Sequence, residues 1–348
     1  MEKGENFMEN QDQFCNGLLR FAKEPVKNLD SLSDLESHAH YGIALIEHDY
    51  PGKTPAMWNA AYKHFGIDGA VAMMVGDPKD TVGILSTLKA DPKYIGGGAG
   101  VGFKDVAFDY VDELDPLAKA IGAINLIQKL PSGELKGWNT DGIGYRQSLE
   151  KLLEQKGETL GNTKIVMLGA GGTGNAVAIA LAEKGAEIVI INRTLEKAEE
   201  LARRINKFIG ENRARALGEN AIAKEVLDAS VIINVSTKGA TGAFEAYSAL
   251  APAKLPATVE NISENLRLSE NIFARIPTDA ILSDVVMRST PSPFLEGAFA
   301  HGFETLDGIP MVINQGVEAF LIIHGKEIGD SDNVRSQLRE IMQKAANL

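Results

Sequence analysis

The chain has 348 residues, a formal net charge of −12 and a hydrophobic content of 44%. This length exceeds one ordinary domain, and the composition is typical of a globular protein. The acidic balance disfavours nucleic acid or an anionic membrane surface as a partner, so an anionic ligand would need a local cluster of cations.

Targeting and redox features point to the cytoplasm. No apolar stretch is long enough to span a membrane, and the amino-terminal residues lack the basic and then apolar pattern of a signal peptide. The single cysteine, Cys15, cannot form an internal disulfide, and the six histidines show no metal-ligand spacing. We therefore expect a cytoplasmic protein without a metal site and without membrane or nucleic acid partners.

The first 40 residues are polar and interrupted, and we predict an extension that either docks or stays flexible. Phe14, Leu18 and Phe21 share one helical face there. Strands and helices then alternate, as in an α/β domain. The predicted elements are strand 41–47, a helix with Thr54 as N-cap and Gly66 as its stop, strand 70–75, helix 81–88, a glycine-rich strand end at 96–102, strands 123–128 and 134–137, and a helix from NTDG at 139–142 through Leu153.

The sequence GAGGTG at 169–174 lies between the apolar run KIVMLG and an Ala-rich helical run that stops at Gly185, and a second strand, Ile188–Ile191, follows. This order matches the dinucleotide-binding unit, in which glycines allow a tight turn, close backbone approach to a pyrophosphate and close packing of helix on strand. The predicted cofactor contacts in this loop are Gly169, Gly171, Gly172, Thr173 and Gly174.

The residues after the second strand indicate which dinucleotide binds. An NAD site has an acidic residue there that holds the ribose 2′-hydroxyl. This chain instead has Asn192, Arg193 and Thr194, with Lys197 one helical turn later. Because a guanidinium suits a phosphate, we predict NADP as the cofactor. The alternative is that both cations are ordinary solvated charges, although a cation at a helix start opposes the helix dipole.

The remaining elements complete a predicted two-lobe α/β fold. Strands are expected at 231–235 and 280–286, the weakly patterned segment 238–278 is interpreted as an insertion, and helices at 312–323 and 332–346 are expected to return to the first lobe. The predicted domains are the extension 1–40, a substrate-binding catalytic domain 41–144 with 313–348, and a Rossmann domain 145–312, with the ligands in the cleft between the lobes.

Two residues ahead of the dinucleotide unit suit proton transfer. A nicotinamide enzyme needs a group that gives or takes a proton at the carbon that exchanges the hydride. The ammonium of Lys104 could donate to a carbonyl oxygen, and the carboxylate of Asp141 could fix its position. The alternative is that Lys104 starts a helix and Asp141 caps one.

Four segments together resemble the shikimate and quinate dehydrogenases. They occur in the family's order, cover most of residues 41–325, and read FKDVAFDYVDELDPLAKAIGAIN at 103–125, WNTDGIGY at 138–145, GAGGTGNAVAIALAEKGAEIVIINRT at 169–194 and DGIPMVINQGVEAF at 307–320. The resemblance implies that Lys104 and Asp141 form a catalytic dyad and that Asn125 and Gln315 hold a hydroxylated ring. We also assign Gly308 to the cofactor site.

The chain departs from that family where the substrate carboxylate is usually gripped. The family's His-Ser-x-Ser-Pro segment reads DYPGKTPAMWN at 49–59, so Thr54 keeps one hydroxyl, Gly52 lacks the other, and Lys53 is the one cation of the segment. The family's Asn-Val-Thr-x-Pro-x-Lys becomes GAGVGFK at 98–104, which removes another hydroxyl. We predict that Thr54 and Lys53 contact the substrate through a rebuilt carboxylate clamp.

The resulting hypothesis is an NADP-dependent oxidoreductase of the shikimate dehydrogenase type. It would transfer a hydride reversibly between NADPH and a small keto or hydroxy ring acid, 3-dehydroshikimate/shikimate or an analogue such as quinate, as a monomer or homodimer in the chorismate pathway of aromatic amino acid biosynthesis. One alternative is a regulatory homologue that binds NADP beside a degenerate substrate site. The other is an enzyme like methylenetetrahydrofolate dehydrogenase.

Overall fold

The computed structural model describes residues 17–23, 35, 37–48, 52–161 and 163–348. The chain divides into two compact units, of which the first contains the described residues up to Thr140 together with Gln315–Leu348, and the second contains Asp141–Asn314. The sequence-based boundaries, after 144 and after 312, lie a few residues from these. Among the described residues, no helix is both long enough and apolar enough to cross a membrane.

The elements follow one another along the chain as alternating strands and helices. The strands are β1 His40–Ile46, β2 Gly69–Val75, β3 Tyr94–Gly98, β4 Glu113–Leu114, β5 Leu126–Lys129, β6 Leu135–Trp138, β7 Lys164–Leu168, β8 Glu187–Ile191, β9 Ala214–Leu217, β10 Val231–Asn234, β11 Ile281–Asp284 and β12 Glu304–Leu306. The α-helices are α1 Thr54–Phe65, α2 Thr81–Ala90, α3 Pro116–Ile121, α4 Asp141–Gln155, α5 Gly172–Ala182, α6 Leu195–Ile209, α7 Ile222–Glu225, α8 Val259–Phe273, α9 Pro293–Ala300, α10 Ile309–Ile328 and α11 Asp332–Ala346.

The first unit contains a mixed sheet in the order β2-β1-β3-β5-β6-β4. Strands β2, β1 and β3 are parallel, and β5 is antiparallel to both of its neighbours. Every residue of β2 is buried, and so is every residue of β1 after the first. Continuous apolar runs of this kind are expected for parallel strands that are covered on both faces.

Helix α1 begins one position earlier than the sequence analysis predicts. Lys53 occupies the N-cap position with helical dihedral angles and no side-chain capping bond, so the predicted capping role of Thr54 is wrong and Thr54 is the first helical residue. The stop at Gly66 is confirmed, because this residue adopts a left-handed conformation with φ 67°.

The carboxyl-terminal helices return to the first unit, as predicted. The buried indole of Trp58 in α1 donates a hydrogen bond to the Gly316 carbonyl of α10 at 3.3 Å and meets the ring of Phe320 edge-on. A β-carbon on Gly316 would lie 2.8 Å from the terminal methyl of Met57, so glycine permits this close approach.

Part of the amino-terminal segment packs on the first unit. Leu18 and Leu35 are each 2% exposed within its core, and the ring of Phe21 covers Gly83 so closely that a β-carbon there would clash. The described part of this segment therefore docks onto the domain. Phe14 and Cys15 lie outside the described residues.

The second unit is built on an all-parallel sheet in the order β12-β11-β10-β7-β8-β9. Numbered from β7, this is the doubly wound order 3-2-1-4-5-6, which reverses between β7 and β10. Dinucleotides bind at the carboxyl ends of the strands beside such a reversal, because two loops diverge there and leave a crevice.

The segment 238–278, predicted as a weakly patterned insertion, contains helix α8. Its buried face consists of Asn265, Ser269 and Phe273, at helical spacing but mostly polar. Asn265 satisfies its burial by accepting from the Ser248 backbone and donating to the carbonyls of Ser248, Ala251 and Pro252. Hydrophobic periodicity misses this helix because two of its three buried positions are polar.

Candidate active site

The glycine loop after β7 has the geometry that the dinucleotide fingerprint requires. Gly169 has φ +124°, and a β-carbon on it would lie 2.8 Å from the Ser236 nitrogen. On Gly174, in the first turn of α5, a β-carbon would lie 3.0 Å from a methyl group of Val235, so the helix packs closely on the residue that follows β10. Steric contacts therefore favour glycine over any larger residue at these two positions.

The beginning of α5 is open toward solvent. Gly171 is the N-cap without a side-chain capping bond, and β-carbons on Gly171 or Gly172 would meet no atom within 4 Å. Thr173 follows in the same turn and is half-buried. Exposed backbone N–H groups at a helix amino terminus attract anions, so the loop fits a pyrophosphate.

The loop after β8 brings two cations to the same edge of the sheet. Arg193 and Lys197 are exposed, and within the described ranges neither forms an ion pair. Asn192 shapes the loop by donating from its side chain to the Thr194 carbonyl at 2.8 Å, and Thr194 is the N-cap of α6. Lys197 lies in the first turn of α6, where the helix dipole disfavours a cation. Stabilisation of the helix therefore does not explain a lysine at this position.

These loops line a pocket of about 270 Å³ in the second unit. Its lining residues include Gly169, Gly171 and the segment from Asn192 to Thr194, together with Lys197. Phe244, from the segment ahead of α8, forms part of the wall, and the Arg193 guanidinium carbon lies 5.9 Å from the centre of its ring. The supposed insertion thus contributes to the nucleotide pocket.

Sequence analysis missed two charged residues of this pocket, Glu219 and Lys238. The Lys238 ammonium donates to a Glu219 carboxylate oxygen at 2.6 Å and to the Ala251 carbonyl at 2.8 Å. Burial lowers the pKa of Lys238, and the Glu219 carboxylate opposes this shift. Their positions just after β9 and β10 are the signal that could have revealed them, since the carboxyl ends of parallel strands share one edge.

A polar network in the first unit joins Asn125, Thr140 and Gln315. The Asn125 side-chain amide donates to the Thr140 hydroxyl at 3.1 Å and to the Gln315 side-chain oxygen at 3.3 Å. In return, the Asn125 side-chain oxygen accepts from the Thr140 backbone at 2.8 Å. The sequence analysis singled out Asn125 and Gln315 but not the fully buried Thr140.

Of the two residues of the predicted dyad, Asp141 adjoins this network along the chain, and Lys104 is hydrogen-bonded through its backbone to a neighbour of Asn125. Lys104 is half-buried in the turn after β3, and its carbonyl accepts from the backbone of Ile124, the neighbour of Asn125, at 3.0 Å. Fully buried Phe103 anchors that turn. Asp141 directly follows Thr140 and is the first residue of α4 and of the second unit.

The glycines of the rebuilt clamp are packed against β1. A β-carbon on Gly100 would lie 2.8 Å from the Leu45 carbonyl oxygen, and one on Gly102, where φ is +85°, would lie 2.5 Å from the β-carbon of Glu47. At Gly98 the nearest contact would be an ordinary 3.6 Å. The family's pattern places its threonine hydroxyl at position 100, where sterics exclude any side chain. Gly102 likewise leaves no room for a side chain, whereas Gly98 does.

Of the remaining predicted contact residues, Lys53 and Gly308 each lie against another segment of the chain. The Lys53 ammonium donates to the Ala346 carbonyl at 3.0 Å, at the end of α11, where the helix dipole favours a cation. Thr54 is half-buried beside it. Gly308 precedes α10, and a β-carbon on it would lie 2.9 Å from the Val285 carbonyl oxygen, so this loop packs tightly after β11.

Comparison with known proteins identifies relatives of both units. Residues 50–127 match the family model of the shikimate dehydrogenase substrate binding domain, and residues 151–246 match that of shikimate/quinate 5-dehydrogenase. The chain is 33% identical over 279 residues to the NADP(+) shikimate dehydrogenase of Methanosarcina barkeri, with 79% of this chain and 89% of the relative covered. The corresponding enzyme of Methanopyrus kandleri is 31% identical over 81% of this chain and 88% of its own length.

Solved structures with the same fold include three informative ones. A shikimate dehydrogenase in complex with NADP+ has a TM-score of 0.69 and 26% identity, over 90% of this chain and 96% of its own. The Listeria monocytogenes shikimate 5-dehydrogenase in complex with shikimate and NAD has a TM-score of 0.70 and 25% identity, over 87% and 96%. A 5-ketofructose reductase of Gluconobacter sp. strain CHM43 has a TM-score of 0.66 and 26% identity, over 87% and 98%. The chain belongs to the shikimate/quinate dehydrogenase family, as its sequence motifs predicted.

Proposed function

We propose that this protein catalyses reversible, NADP-dependent oxidation and reduction of a small hydroxylated ring acid, shikimate or an analogue such as quinate. The observation that carries the proposal is the pocket lined by the loops after β7 and β8. Two exposed cations, Arg193 and Lys197, lie there in place of the acidic residue of an NAD site. The name shikimate dehydrogenase (NADP(+)) of the curated relatives supports both the cofactor and the substrate class.

The residues of the second unit fit NADP. The open start of α5 at Gly171 and Gly172 would receive the pyrophosphate, and Arg193 with Lys197 would bind the 2′-phosphate. Asn192 and Thr194 hold the loop that presents the two cations. When bound, the cofactor supplies or accepts the hydride. We also assign Gly308 to the cofactor site, where its lack of a side chain lets it pack against the loop after β11.

The polar network of the first unit supplies the proposed contacts to the ring hydroxyls. Asn125 and Gln315 are half-buried and each carries a side-chain amide, and Thr140 orients both amides through hydrogen bonds. Groups that are positioned by their own hydrogen bonds lose little conformational entropy when a ligand binds. This arrangement favours a ligand with several hydroxyls over an apolar one.

Lys104 is the proposed acid and base. In reduction, its ammonium donates a proton to the carbonyl oxygen while the carbonyl carbon receives the hydride, which gives a secondary alcohol and a neutral amine. In oxidation, the amine takes the hydroxyl proton back. The carboxylate of Asp141 would orient the ammonium and stabilise its charge, which makes Asp141 the second member of the proposed dyad.

A substrate screen with the purified full chain tests this function. Shikimate and quinate are each offered with NADP and with NAD, and formation of the reduced cofactor is followed by absorbance. We expect turnover of a ring acid with NADP. Binding of NADP without turnover of any ring acid would instead favour the regulatory homologue. The family assignment already argues against an enzyme like methylenetetrahydrofolate dehydrogenase.

A second candidate is the reduction of a neutral polyhydroxylated ketone. The favouring observation is that the family's hydroxyl is missing at Gly100, where no side chain fits, because a buried carboxylate without donors costs on the order of 3 to 5 kcal/mol. The structurally similar 5-ketofructose reductase bears this activity in its name. Including 5-ketofructose with NADPH in the screen separates the two candidates.

A further inference from the structure

Among the described residues that line the nucleotide pocket, the charged side chains are three cations and one acid: Arg193, Lys197, Lys238 and Glu219. Arg193 and Lys197 are exposed, whereas the side chains of Lys238 and Glu219 are only 12% and 19% exposed. The pocket therefore combines two solvent-facing cations with a largely buried ion pair.

The ion pair and one backbone carbonyl together occupy most of the hydrogen-bonding capacity of the Lys238 ammonium. Two of its three N–H donors go to Glu219, at 2.6 Å, and to the Ala251 carbonyl, at 2.8 Å. Its own backbone is fixed as well, since its carbonyl accepts from the Asn234 side chain and its N–H donates to the Ser236 hydroxyl. Lys238 is thus held on Glu219 rather than extended into the pocket.

An unpaired carboxylate at Glu219 would change the preference of the pocket between NADP and NAD. A carboxylate at the edge of a nucleotide pocket accepts a hydrogen bond from a ribose hydroxyl and repels a phosphate on the same ribose. The pocket of an NADP enzyme therefore tolerates an acid only if a cation neutralises it.

We propose that Lys238 determines the cofactor preference of this protein by neutralising Glu219, which leaves the charge of Arg193 and Lys197 available for the 2′-phosphate. This inference rests on the proposed function, since it requires that the pocket binds NADP. It assigns Lys238 a specificity role without direct contact to the reacting atoms.

Calorimetric titration of the full chain with NADP+ and with NAD+ tests the inference through dissociation constants alone. Lys238→Met keeps the aliphatic stem but exposes the Glu219 charge, so the Kd for NADP+ should rise about tenfold relative to that for NAD+. Glu219→Gln should lower the relative Kd for NADP+ by roughly threefold or more, because one negative charge is gone. The double variant removes one charge of each sign and should return to within about threefold of wild type.

The double variant distinguishes neutralisation from direct phosphate binding. If it binds NADP+ as weakly as Lys238→Met, then Lys238 contacts the phosphate itself and the inference is wrong. An unchanged or weakened NADP+ preference in Glu219→Gln overturns it too, and this variant leaves no buried acid unpaired, so it remains informative if Lys238→Met fails to fold. Wild-type protein without a preference for NADP+ would instead refute the proposed cofactor.

Discussion

Replacing Arg193 by alanine should weaken the binding of NADP+ while leaving that of NAD+ unchanged. The guanidinium is exposed, forms no ion pair with any described residue, and lies 5.9 Å from the centre of the Phe244 ring. Its loss should therefore cost at most about 1 kcal/mol of folding stability, the scale of an exposed cation–π contact. A charge-assisted hydrogen bond to a phosphate contributes about 1.5 to 3 kcal/mol, which predicts a 10- to 150-fold rise in the Kd for NADP+.

The matched control is Arg203→Ala, which removes the same charge from an exposed position further along α6. Both dissociation constants are measured by calorimetry for wild type and the two variants, with thermal unfolding to check the fold. Wild type should bind NADP+ at least tenfold more tightly than NAD+. If Arg193→Ala leaves the Kd for NADP+ unchanged, or raises both constants equally, the assignment of the 2′-phosphate site is wrong.

The remaining predictions concern proton transfer, the clamp and a buried acid. Lys104→Ala should lower kcat by roughly 100-fold or more without changing the Kd for NADP+, and Asp141→Asn should do so more mildly; full activity of Lys104→Ala on the true substrate would rule out the dyad. Lys53→Ala should raise the KM for a ring acid selectively if Lys53 contacts the substrate, whereas a lower Tm with unchanged KM would restrict it to its bond with Ala346. Desolvation raises the pKa of Asp284 from 3.8 to about 6 despite three hydrogen bonds to its carboxylate. The folded state then binds more protons than the unfolded state between those values, so the free energy of unfolding should fall by up to ~3 kcal/mol as the pH rises through them. Urea denaturation should show that this fall is missing in Asp284→Asn, and parallel profiles for the two proteins would contradict it.

Local signals made much of the fold predictable from the sequence. Periodicity, glycine conformation and helix boundaries, each of which involves neighbouring residues only, predict the glycine loop with its two flanking strands, the stop at Gly66 and the existence of the last two helices. The cation pair Arg193 and Lys197 was identifiable for the same reason, since its distance along the chain from the glycine loop is fixed by the βαβ unit.

What required the tertiary structure depends on residues that are far apart along the chain. Helix α8 escaped prediction because two of its three buried positions are polar, and Asn265 is buried through hydrogen bonds that only the folded loop provides. Thr140 belongs to the polar network through Asn125 and Gln315, and Lys238 acquires its role from Glu219, on the loop of another strand.

The rebuilt carboxylate clamp illustrates both what the sequence determines and what only the tertiary structure decides. The sequence alone determined that the family's hydroxyls are missing at Gly52 and Gly100, and that Lys53 and Thr54 lie at the start of the first helix. Only the tertiary structure decided why Gly100 carries no side chain, because the Leu45 carbonyl and the Ile46 side chain of β1 occupy the space that it would need. Pattern along a chain records residue chemistry and local conformation, whereas steric exclusion and ion pairing between distant segments arise when the chain folds.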